Sequence, residues 1–188
     1  AIGTLFVIGL GWWVLRGEPV PVPLPVSAED TISAWTFPGP FNDDGVREAE
    51  VRANIKKLEE RLGGEDDYQL YTSIALEYEH LGEGKNAYEY YSRAIALDTE
   101  ETTSLAWHNM GILMEKLGAY HTARVAHERA VKIQPNIISS HLSLVELMIY
   151  HFPTDTAGVE AALTDAEALL GESDSALLEL RRRWKDSL

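Results

Sequence analysis

The sequence predicts an all-α fold, a stack of antiparallel helix pairs preceded by an apolar N-terminal segment. Three observations carry this. From Val46 onward apolar residues recur at the three-and-four spacing of a helix face. A set of small and aromatic positions returns at a constant offset of thirty-six residues. No strand pattern is present to compete with either signal. Composition agrees, since 188 residues with 45% hydrophobic and 24% charged side chains suffice for a packed core. A formal net charge of −14 repels phosphate backbones and anionic headgroups, which excludes nucleic acid as a partner class. The absence of cysteine excludes a disulfide framework, a thiolate metal site and a cysteine nucleophile.

Residues 1–16 are expected to form a transmembrane anchor. Ala1 to Leu15 carry no charge and one hydroxyl, Thr4. Leu5, Phe6, Ile8 and Leu10 supply the lipid-facing surface, and Trp12 and Trp13 ahead of Arg16 form an interfacial belt. Fifteen residues span roughly 22 Å as a helix against a hydrocarbon core of about 30 Å, so the span is expected to continue upstream of Ala1. Gly3, Gly9, Gly11 and the lack of a polar face argue against a core helix or an interfacial one. Val26-Ser27-Ala28 lies too far downstream to serve as a signal cleavage site.

Residues 17–45 are expected to be a spacer followed by an aromatic loop. Pro19, Pro21, Pro23 and Pro25 impose polyproline II geometry on a strut of roughly 28 Å. Trp35, Phe37 and Phe41 stand among turn residues and are expected to pack on the helical domain. Between Arg16 and Arg47 there is no Lys or Arg, whereas Glu18, Glu29, Asp30, Asp43 and Asp44 all occur. Cytoplasmic flanks are enriched in cations, so the domain is expected on the extracytoplasmic (periplasmic) side; Arg16 keeps a cytoplasmic placement as the alternative.

Over 46–63, Val51, Ile55, Leu58 and Leu62 mark one helix face, with Asp43 or Asp44 as its cap and Gly63-Gly64 as its end. The repeat follows. Tyr71, Gly82, Ala87, Tyr91 and Ala94 are matched by Trp107, Gly118, Ala123, His127 and Ala130. The alanines allow a second helix to approach the first closely, the aromatics fill the opposing holes, and the glycines end the first helix of each pair.

Trp107-His-Asn-Met110-Gly111-Ile-Leu-Met114, continuing to Ala123, His127 and Pro135, resembles the signature of the tetratricopeptide repeat (TPR). Met110 and Met114 replace its Leu and Tyr, and His127 its Phe. The earlier unit, from Tyr71 through Ala75, Tyr78, Ala87 and Tyr91, has Thr99 where the helix-ending proline belongs. The repeats are thus placed at 68–101 and 104–137, with a degenerate unit at 138–172 that begins its motif at His141. Residues 173–188, with Leu177, Leu180 and Trp184 on one face, form a capping helix.

The resemblance implies a TPR-type helix-turn-helix solenoid, a right-handed stack whose concave groove binds a partner segment. It places Gln69, Thr72, Ser73, Leu76, Glu79 and His80 at that groove from the first unit. Leu105, His108, Asn109, Ile112 and Glu115 follow from the second, and Leu142, Ser143, Glu146 and Ile149 from the third. TPR domains that grip acidic chaperone tails use Lys, Arg and Asn. Here Asn109 is present, but Thr72, Ser139 and Ser143 stand at the cationic places, which disfavours that ligand.

No catalytic residue, cofactor site or metal site is expected. His121 and His127 lie six apart, on different faces, and Glu77 with His80 is a single pair without a second. Asn42-Asp43-Asp44-Gly45 lacks the bidentate glutamate of a calcium loop. Ser140 beside His141 gives no triad geometry. Arg181, Arg182, Arg183 and Lys185 suit a helix C-terminus, with an acidic partner or lipid as the functional alternative. The expected function is a membrane-anchored scaffold that holds protein partners or an extended peptide, as an assembly factor or accessory subunit of a membrane complex. The alternative is a structural subunit whose groove is permanently filled, and an enzyme is the least supported reading.

Overall fold

The computed structural model describes residues 23–41, 45–171 and 173–188. The anchor (Leu5, Phe6, Ile8, Leu10, Trp12 and Trp13), the strut as far as Val22 and the capping candidates Asp43 and Asp44 lie outside the described residues. Among those described there are eight helices: α1 (Val46–Glu59), α2 (Asp67–His80), α3 (Gly84–Leu97), α4 (Leu105–Lys116), α5 (Tyr120–Ile133), α6 (Ile138–His151), α7 (Thr156–Leu170) and α8 (Ser175–Ser187). None is long and apolar enough to cross a membrane.

The helices pack as consecutive pairs, α2 with α3, α4 with α5 and α6 with α7, and each pair leans on the next. The first helices α2, α4 and α6 touch in series, while the second helices α3, α5 and α7 do not meet one another. The stack is therefore closed along its first-helix side and splayed along the other. Ala87, Ala94, Ala123 and Ala130 are fully buried, which is what close approach of each second helix requires.

The turns inside the first two pairs are built identically. Gly82 and Gly118 both adopt φ +73°, a left-handed conformation that costs glycine little. The Glu83 amide donates to the Tyr78 carbonyl at 2.9 Å, and the Ala119 amide to the Met114 carbonyl at 2.8 Å, the six-to-one bond of a Schellman cap. The third pair lacks this glycine. There the chain turns through Phe152 and Pro153, and α7 is capped by its own Asp155, which accepts from the Gly158 amide.

Two principal cores result. One joins α2 to α5 around Tyr71, Tyr91, Met110, Leu113 and Met114. The other joins α6, α7 and α8 around Val145, Met148, Leu163, Leu177 and Trp184. Trp184 is 4% exposed and its indole N–H donates to the Pro153 carbonyl, so α8 seals the open end of the stack. Helix α1 lies against α2 through Ile55. It ends at Glu59, ahead of Gly63, because the Arg61 and Leu62 amides tighten to three-residue turns on Leu58 and Glu59.

Candidate protein-interaction face

The first-helix side carries a stripe that is exposed at Gln69, Ser73, Leu76, Leu105 and Glu146 and half-buried at Asn109, Ile112 and Ser143. Gln69, Ser73 and Leu76 of α2 stand at the four-and-three spacing of one face, and Leu105, Asn109 and Ile112 of α4 stand thirty-six residues on. Ser143 and Glu146 continue it on α6. Leu76 is 44% and Leu105 49% exposed, so the stripe is apolar at intervals, with amides and hydroxyls between. No Lys or Arg stands among these eight positions.

A second row of the expected groove turns inward. Thr72 is buried, its hydroxyl donating to the Tyr68 carbonyl, and Glu79 is 3% exposed. Ile149 is buried in the second core. These three are corrected from groove lining to interior positions; successive helix residues are turned about one hundred degrees apart, so Thr72 and Ile149 are buried beside exposed Ser73 and Tyr150, and Glu79 beside half-buried His80. Their counterparts His108, Glu115 and Leu142 are half-buried in the same row. His80 is half-buried at the end of α2, paired with Glu77 at 3.3 Å and edge-on to Phe41.

The inward row forms a repeated polar pair. The Tyr91 hydroxyl donates to Glu79 at 2.6 Å, and Lys116 approaches the same carboxylate at 2.7 Å. Burial, reinforced by Glu79, pushes the Tyr91 phenol above its ordinary value. Thirty-six residues on, His127 Nε2 lies 2.8 Å from Glu115, with the ring fully buried. A Cβ at Gly111 would stand 2.5 Å from that ring, so glycine is required where α2 has Ala75. The offset that relates Tyr71 to Trp107 also relates Glu79 to Glu115, a match legible in the sequence but missing from the five positions read there.

The N-terminal segment occupies the opposite side. Leu24 is 5% exposed within the first core, and its carbonyl accepts from the Tyr88 hydroxyl at 2.6 Å. The strut is thus docked at Pro23–Pro25 rather than free there. The Ser27 amide donates to Thr122 Oγ1, and Asp30 accepts from the His121 and Thr122 amides at 3.1 and 2.7 Å and from the Thr122 hydroxyl. Burial opposes ionisation of Asp30, yet these hydrogen bonds hold its carboxyl below the usual carboxylate range. Trp35 packs on Tyr88, and the Phe37 and Phe41 amides donate to the carbonyls of Gly82 and His80. A Cβ on Gly39 would lie 2.4 Å from the Gly82 nitrogen, so two glycines meet where this strap crosses the α2–α3 turn. Beyond Leu24 the gap between α3 and α5 continues as an open groove of about 690 Å³ bordered by Ile95, Trp107, Val125 and Lys132.

The remaining polar candidates are engaged structurally. His121 pairs with Glu29, and His141 Nε2 faces the Pro135 carbonyl at 2.8 Å. Arg181 pairs with Glu160 and Glu167, Arg182 with Glu179 and Asp186, and Arg183 with Glu179. The basic run is therefore largely neutralised by its own neighbours. Among the described residues no three metal-ligating side chains converge.

No curated protein matches the chain. Residues 68–101, which comprise α2, α3 and the turn beyond, match the family model of the tetratricopeptide repeat. An all-α stack of helix pairs with that match within it carries a tetratricopeptide-repeat unit, of the kind that generally mediates protein–protein interaction.

Proposed function

We propose that the chain is a non-catalytic TPR scaffold that holds a protein partner against its first-helix side. One observation carries this reading. The contacts of residues 23–41 fall on α3, α5 and the intervening turns, apart from Phe41 at the end of α2 and Phe37 beneath Lys116 at the end of α4. The stripe from Gln69 to Glu146 is thereby left open to a ligand. Its alternation of leucine or isoleucine with amide and hydroxyl groups suits an extended segment of mixed polarity. The apolar run at residues 1–16 supports membrane anchoring through Leu5 to Trp13, and the cation-poor flank supports an extracytoplasmic domain. An accessory subunit or assembly factor of a membrane complex is the role that fits both.

The test is affinity purification of the full chain from native membranes, alone and as Leu76→Glu with Leu105→Glu. Both positions are exposed, so each substitution should leave the fold within about 0.5 kcal/mol of the parent. A partner that comes with the parent and is lost from a folded double variant supports the proposal. A partner retained by the variant, or a full-length chain extracted without detergent, refutes the face or the anchor respectively.

A further inference from the structure

The first two pairs solve one packing problem with different chemistry. In α2–α3 the inward positions are Thr72 and Tyr91, with Glu79 receiving the phenol. In α4–α5 the same positions, thirty-six residues on, are His108 and His127, with Glu115 beside the imidazole. The two imidazole rings stand edge to face with centroids 5.7 Å apart. Each has a buried Nδ1 without a hydrogen-bond partner among the described residues.

We propose that the α4–α5 pair is an acid-sensitive element, in which two imidazoles pack edge to face with both Nδ1 atoms buried and unpartnered, so that acidification opens this pair while α2–α3 stays closed. A proton added to His108 Nδ1 meets no acceptor and stands about 6 Å from the second imidazole, that of His127. The unfolded chain has no such restriction. The groups facing the site from neighbouring helices do not relieve it. Glu79 on α2 is bound to Tyr91 of α3 and Lys116. On α5 itself Arg124 is bound to Glu128 and to Asp155 ahead of α7. From α6, His141 faces a carbonyl, and His151, stacked on Tyr120, adds a further imidazole within reach of Glu115.

Burial, followed by the nearness of His127, lowers the His108 value, with Glu115 opposing in part. Burial likewise lowers His151. For a depressed histidine the stabilisation is complete above the unfolded value near 6.5 and is lost progressively as pH falls below it. The interval from pH 7 to 5.5 brackets the unfolded imidazole value. The stripe residues Leu105, Asn109 and Ile112 ride on α4, so opening would also disperse the face on which partner binding is proposed; that consequence rests on the function above, whereas the opening itself does not.

The chain supplies its own control. His108→Thr with His127→Tyr installs the first pair's residues in the second, where Gly111 leaves more room than Ala75 does. The parent is expected to lose roughly 3–5 °C of Tm between pH 7 and 5.5, and the double variant less than about 1 °C. Hydrogen exchange in the unmodified protein, corrected for intrinsic rates, reads the same event without a variant. Amides of α4 and α5 should lose several-fold more protection than those of α2 and α3 over that interval. A parent Tm flat over this range, equal slopes for parent and folded double variant, or equal loss of protection in the two pairs would each overturn the proposal.

Discussion

Asp30 caps a helix ninety residues further along the chain: its carboxylate receives the Thr122 amide at 2.7 Å and the Thr122 hydroxyl at 2.6 Å. The residue in the capping position of α5 is Ala119, which has no acceptor to offer its first turn. The strap provides one, and an anion there also suits the helix dipole. Asp30→Ala should cost about 1–2 kcal/mol, read as a Tm lower by roughly 2–6 °C. The Asp30 value is depressed, so its contribution is complete above the unfolded value near 3.9 and disappears as pH falls through the folded one. Parent and Asp30→Ala melts should therefore differ at pH 7 and converge in strong acid.

Gly111→Ala should destabilise, against the usual gain of about 1 kcal/mol for this exchange in a helix. The new methyl would meet His127 at 2.5 Å inside a packed interior, and overpacking of this kind costs about 1–3 kcal/mol. Denaturant melts of Gly111→Ala, alone and with His127→Ser, provide the check. A smaller residue at 127 should reduce the penalty of the alanine, giving strong non-additivity.

Tyr91→Phe should cost about 1–3 kcal/mol, since it deprives buried Glu79 of its 2.6 Å donor and leaves Lys116 as the remaining partner. The volume is conserved, so a loss in chemical denaturation with an unchanged m-value would assign the effect to the hydrogen bond.

Leu24→Ala should cost about 2–4 kcal/mol through loss of buried apolar surface and the cavity left between α3 and α5. Limited proteolysis should then cut within 23–41 before any helix. Cleavage first within α1–α2 would contradict the docking.

Much of the helical domain was legible because its signals are local and periodic. Gly82 and Gly118 end their helices through a conformation that glycine adopts readily, and Ala87, Ala94, Ala123 and Ala130 mark close approach. Thr72 and Glu79 were misplaced for a definite reason. The resemblance assigns a whole face of each first helix to the groove, whereas these two are buried with their hydrogen bonds satisfied internally, by the Tyr68 carbonyl and by Tyr91. The offset alone could have revealed it, since Glu79 pairs with Glu115 as Tyr91 pairs with His127. The docking of Leu24 and Asp30 had no such signal. Their partners Tyr88 and Thr122 lie sixty-four and ninety-two residues away, and no periodicity connects a single extended strand to a helix terminus.

The strap crosses the turn at Gly82 and then ties to the start of α5, while nothing within 4 Å overlies the corresponding Gly118. Mechanically, tension arriving from the N-terminal direction reaches Tyr88 and Thr122 before it reaches α1. A pull along the chain is thus delivered to the middle of the stack, drawing α3 and α5 away from their own first helices, and α1 is spared until Leu24 and Asp30 have let go. Single-molecule extension from the N-terminus should show a small early yield at the strap, followed by the main rupture of the helical pairs.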